Sequence, residues 1–139
     1  MCGIVGYAVK NNNNNELIIE MIRKYASHKS WRIWEAVAMG IQEISEENMQ
    51  TTFKNISKMQ VGNFYEKRAV VVGLCEPKLL KDIKLANTVI SILNEITETF
   101  NHNNKLADDE ESLRKALAYA WSVAIVHAPT NGKKHLKNY

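Results

Sequence analysis

The side chains best suited to recognition chemistry are Trp31, Arg32, Trp34, Lys67, Arg68, Arg114 and Trp121. Tryptophan and arginine are the residues most enriched where binding energy concentrates at protein interfaces. The same mixture also suits nucleic acid, because cations neutralise phosphates and flat rings stack on bases. Other chemistries find less support. His28, His102, His127 and His135 are scattered, and none pairs with a cysteine at metal-ligand spacing. Asp108-Asp-Glu-Glu111 is an acidic run, but carboxylates of this kind suit the first turn of a helix, and no loop of calcium-ligand spacing follows. No motif for hydrolysis or phosphate cradling is present, and neither metal nor cofactor is expected.

The elements that must position these residues begin with Trp31-Arg-Ile-Trp-Glu-Ala-Val-Ala-Met-Gly-Ile-Gln-Glu-Ile44. Its Ile33, Val37, Gly40, Ile41 and Ile44 fall three or four apart and predict one apolar helical face. Sliding Gly40 onto Gly73, a shift of 33 residues, lays Trp34–Ile41 over Lys67–Leu74. Sliding it onto Gly6 makes Cys2–Val9 a truncated copy, and a further copy starts at Leu113-Arg-Lys-Ala-Leu-Ala-Tyr-Ala120. The period is that of a helical repeat, whose units bury their faces by stacking. Gly40 and Gly73 should then sit at comparable helix contacts, since an interior glycine costs about 1 kcal/mol relative to alanine and implies close approach.

In chain order, the asparagine run 11–15 reads as a turn, and Ile18, Met21, Ile22 and Tyr25 mark a helix over Glu16–Ala26. Residues 27–30 read as a turn, with His28 solvated and Ser30 as the cap of the central helix. Ser45 is expected to cap the next helix, which carries Met49, Phe53, Ile56 and Met59 on one face. Asn63 and Glu66 have capping-box spacing before a helix over Phe64–Cys75, which Pro77 closes. Asp82–Phe100 reads as the longest helix, with Ile83, Ala86, Ile90, Leu93, Ile96 and Phe100 on its buried side. An asparagine-rich loop at 101–105 leads to a last helix over Leu113–Val126; Pro129 ends it, and the basic tail beyond is expected to fray.

At 139 residues, 1–139 reads as a single domain. A net charge of +3, from 18 basic and 15 acidic side chains spread along the length, is an ordinary solvated surface. Cys2 and Cys75 lie in apolar helical stretches, where cysteine acts as a small buried hydrophobe. No apolar run approaches the roughly 20 residues that span a bilayer. The expectation is a cytoplasmic protein without membrane contact.

The period and the openings Ile33-Trp-Glu-Ala-Val-Ala38 and Glu66-Lys-Arg-Ala-Val-Val71 resemble HEAT repeats. The aspartate usual in the turn before such a helix is absent ahead of Trp31. The resemblance implies an all-α fold, an α-α superhelix of stacked antiparallel helix pairs, and a non-enzymatic scaffold for a protein partner. One HEAT-like group comprises the alkylpurine DNA glycosylases, so DNA is the second partner it implies. Glu35 beside Trp34 would then be the acidic catalytic residue. Separately, Met1-Cys-Gly-Ile-Val-Gly-Tyr7 resembles the opening of class II glutamine amidotransferases, in which Cys2 would be an N-terminal nucleophile. The repeat reading instead makes Cys2 a packed helical residue.

Overall fold

The computed structural model describes residues 3, 4, 6, 15–99 and 105–136. Cys2, most of the asparagine run 11–15, Phe100 and most of the loop 101–105 lie outside them, so the readings placed there are not addressed. Among the described residues the chain is all-helical, with no strand. The helices are α1 (Asn15–Ala26), α2 (Trp31–Glu47), α3 (Met49–Asn55), α4 (Ser57–Gln60), α5 (Phe64–Leu74), α6 (Ile83–Glu98), α7 (Asp108–His127) and α8 (Pro129–Leu136), with a 3-10 turn at Pro77–Leu79.

Two side-chain caps form here, the one at Asn63 as the sequence implies and one at Asp82 that precedes the helix instead of opening it. The Asn63 side chain accepts the Glu66 N–H at 2.9 Å, and Asp82 accepts from Lys84 and Leu85. The box at Asn63 is only half closed on itself, because the Glu66 carboxylate turns to Arg23 of α1 at 2.7 Å. Asn63 also donates to Ser27 at 2.9 Å, which ties the end of α1 to the start of α5.

Four expectations are corrected. Ser45 does not cap a helix: it lies inside α2, buried, and its hydroxyl donates to the Ile41 carbonyl. Back-bonding of this kind lets serine stay in a helix interior, and Asn48 takes the cap by accepting the Thr51 N–H. The helix expected after it is split at Ile56 into α3 and α4. The longest helix is α7, at 20 residues against 16 for α6; its first turn is the acidic run, whose charges complement the helix N-terminus. Beyond Pro129 the chain continues as α8 rather than fraying. Proline at a first helical position forfeits no hydrogen bond, and buried Ala128 and Gly132 hold the turn against α7.

The core runs continuously through Ile18, Ile22, Ile41, Ile44, Ile56, Met59, Leu74, Ile90, Leu93 and Leu113. Helix α5 is central, packed against α2 on one flank and α7 on the other. Helices α2 and α5 run parallel, since Trp34 meets Tyr65 near their starts and Ile41 meets Gly73 near their ends. Both glycines mark close approaches, but to different neighbours. A methyl added at Gly40 would lie 2.9 Å from the Ile22 Cδ1 of α1, whereas one at Gly73 would lie 2.7 Å from the Ile41 Cβ of α2.

Candidate functional site

The seven residues singled out in the sequence are spread over several local contacts. Their centre is Trp34 with Arg68, joined by Tyr65, which the sequence reading did not single out. The Trp34 and Tyr65 rings lie 5.1 Å apart between centroids, tilted by 35°. The Arg68 guanidinium sits 5.1 Å from the Trp34 ring centre, a cation–π geometry worth about 0.5–2 kcal/mol depending on desolvation. Burial lowers the Arg68 pKa, and the Glu35 carboxylate opposes that shift. The Trp34 indole N–H donates to the His28 carbonyl, and the His28 Nδ1 accepts the Ser30 N–H at 3.0 Å. His28 is therefore more than a solvated turn residue: it orders the turn that aims Trp34, while Ser30 makes no side-chain cap.

Trp31 and Arg32 pair with one another, the guanidinium 5.7 Å from the ring, and Trp31 is 58% exposed. Lys67 lies 5.5 Å from the Phe64 ring and donates to Thr99 at 3.2 Å, which turns it towards the end of α6. Arg114 grips Glu111 through two hydrogen bonds of 2.9 and 2.5 Å. That grip holds the Glu111 carboxyl below its ordinary pKa and raises the Arg114 guanidinium. Trp121 does not belong to a surface. It is 6% exposed and its indole donates to Thr97 of α6 at 3.1 Å, so it is part of the core between α6 and α7.

Tyr65, Arg68 and Val72 follow one another at helical spacing and are half-buried, so they form an open side of α5, and half-buried Glu76 lies just past its end. On α7, Trp121 turns to α6 and Ile125 meets Gly132 of α8. Tyr119 and Val126, 59% and 76% exposed, lie seven residues apart on another flank. This spacing of apolar and aromatic positions was present in the sequence; what concealed it was that Val72 and Tyr65 read equally well as core. Two shallow clefts lie elsewhere. One of about 330 Å³ is lined by Ile83, Asn87, Pro129 and Lys134, and one of about 400 Å³ by Glu46, Met49, Lys78 and Leu85, where Lys78 pairs with Glu46. Among the described residues no group of His, Cys, Asp and Glu assembles as a metal site, and no helix is long and apolar enough to cross a membrane.

Cys75 is buried, and burial pushes its thiol up to about 12. Near pH 8 only about one molecule in ten thousand carries the reactive thiolate. A disulfide reagent added to a Cys2→Ser variant should therefore label Cys75 only as fast as the chain unfolds. Prompt labelling of the native protein would show that the site opens.

With this geometry in place, the comparisons add no relative: no family model matches the chain, no curated protein matches it, and no solved structure matches its fold.

Proposed function

We propose that this chain is a non-enzymatic, cytoplasmic helical-repeat module that binds another protein, with its helix pairs stacked as a short HEAT-like α-α superhelix. Support for the stack comes from the series α2, α5, α7, in which the second helix of each pair packs against the next. The observation that carries the function is the Trp34–Tyr65–Arg68 cluster. Arginine gives up hydration to lie against the Trp34 ring, which itself meets Tyr65, and a partly desolvated aromatic and guanidinium patch is what interface hot spots are made of.

A DNA partner is the second reading, because Glu35 stands beside Trp34 and acts electrostatically on Arg68. The ion pairs favour protein. Arg23 is bound to Glu66, Lys78 to Glu46 and Arg114 to Glu111, which leaves these cations already neutralised and poorly placed to replace phosphate counterions.

Arg68→Glu should weaken binding of the native partner by about tenfold or more without unfolding the protein. Circular dichroism checks the fold, and partner affinity across a salt series checks the class. A protein partner should show a modest salt effect, whereas DNA should lose about 0.9 from its log–log salt slope for each phosphate contact removed. Glu35→Gln should leave partner binding intact; loss of base excision on alkylated DNA in that variant would decide for the glycosylase reading. Binding indifferent to Arg68→Glu at low salt would remove the cluster from the site.

A further inference from the structure

The cations of this chain differ in what already engages them. Arg23 is bound to Glu66, Lys78 to Glu46 and Arg114 to Glu111, and Lys67 donates to Thr99. Arg68 has a ring instead of an oxygen. Its guanidinium lies 5.1 Å from the Trp34 ring centre, and among the described residues no hydrogen bond or ion pair takes up its N–H groups. An arginine carries a planar fork of N–H donors, and burial has already taken part of the water from this one. Contact with a ring holds such a cation without giving its donors an acceptor.

The fork is also held in place. Tyr65 and Arg68 stand three residues apart on one side of α5, and both touch Trp34. Trp34 is anchored in turn, because its indole N–H donates to the His28 carbonyl and the His28 ring accepts the Ser30 N–H. The Tyr65 hydroxyl likewise has no hydrogen-bond partner among the described residues. Two uncommitted donors of different kinds therefore flank one fixed indole.

The charges around the indole set the sign and size of a guest. Arg32 lies in the first turn of α2, which holds no acidic residue, and Glu35 is the acid that acts on Arg68. A small positive excess suits a single negative charge. Stripping water from an ion costs more than in proportion to its charge, whereas attraction to the site grows only in proportion. A carboxylate fits here better than a phosphate dianion, and its two oxygens match the guanidinium fork.

We propose that Arg68 and Tyr65, backed by Trp34, receive the side-chain carboxylate of a glutamate or aspartate of the partner protein, the guanidinium donating two N–H groups and the phenol its O–H. The inference rests on the protein-binding reading and adds to it what the partner brings to the cluster.

The probes are short peptides, acetylated and amidated so that no terminal carboxylate competes, and identical except for one central glutamate, glutamine or phosphoserine. An NMR titration followed at the Arg68 Nε–H and the Trp34 indole N–H reads binding at this site. At low salt the glutamate peptide should bind about tenfold more tightly than the glutamine peptide, and more tightly than the phosphoserine peptide. Arg68→Lys keeps the charge but not the fork and should cost the glutamate peptide about fivefold. Tyr65→Phe keeps the ring and should cost it about threefold. Neither should change binding of the glutamine peptide or the circular dichroism of the fold. Equal binding of glutamate and glutamine peptides, no binding of either, or full affinity in either variant would overturn the proposal. Tighter binding of the phosphoserine peptide would overturn it in favour of a phosphorylated partner. A dimer that Arg68→Gln dissociates would do so in favour of a second copy of the chain. If Arg68→Glu loses the native partner while glutamate and glutamine peptides bind alike, the protein-binding reading stands and this proposal alone fails.

Discussion

Trp121→Ala should destabilise the protein by about 3–5 kcal/mol, the range for emptying a large aromatic site in a packed core. The indole is 6% exposed, and besides its volume it supplies the donor that Thr97 accepts at 3.1 Å. Thr97 keeps its own bond to the Leu93 carbonyl, so the loss is chiefly one of packing. Trp31 makes the control. At 58% exposure, with Arg32 as its cation partner, its replacement by alanine should change stability by no more than about 0.5 kcal/mol. Urea unfolding followed by circular dichroism separates the two. A Trp121→Ala midpoint equal to that of the parent would mean that this side chain is not part of the core.

The second large effect concerns two glycines that sequence alone treats alike. Gly73→Ala puts a methyl 2.7 Å from both Cβ and Cγ2 of Ile41. The Ile41 Cβ is fixed to its backbone, so α2 and α5 must separate, at a cost of about 1–3 kcal/mol for overpacking. At Gly40 the clash is with the Cδ1 of Ile22, the mobile end of its side chain, at 2.9 Å. Rotation there relieves most of it, and alanine's helical advantage of about 1 kcal/mol offsets the remainder. Thermal melts should place Gly73→Ala well below the parent and Gly40→Ala close to it. Equal losses in both would show that Ile22 is held as rigidly as Ile41.

Much of the helical content was legible because apolar spacing is a local property: Ile33, Val37, Ile41 and Ile44 announce α2 whatever surrounds them. The repeated glycines did mark close approaches, but to α1 at Gly40 and to α2 at Gly73, so the pairing of α2 with α5 could not be read from them. Places where two local rules compete were harder to read. Ser45 can cap a helix or bond back to Ile41, and only the burial of that position decides for the second. Pro129 can stop a helix or start one, and the outcome depends on whether Ala128 and Gly132 find a surface in α7. The candidate site was legible in part for the same reason. Arg32, Trp34 and Arg68 were identifiable by type, but Trp121 differs from Trp34 only in which neighbour it faces, and that is a tertiary fact. Tyr65 carried no signal of its own until Trp34 was seen to lie against it.

The division of the middle outer helix at Ile56 bears on how the molecule deforms. α3 and α4 contain 7 and 4 residues, too few for either to hold together without its neighbours. Helices α2, α5 and α7 on the other side of the core are 17, 11 and 20 residues long. Local opening therefore costs least at Ile56, where buried Ile56 and Met59 and the few backbone bonds that continue across the break hold the two segments together. The continuous helices are therefore the stiffer side of the core and the segmented helix the more easily deformed one.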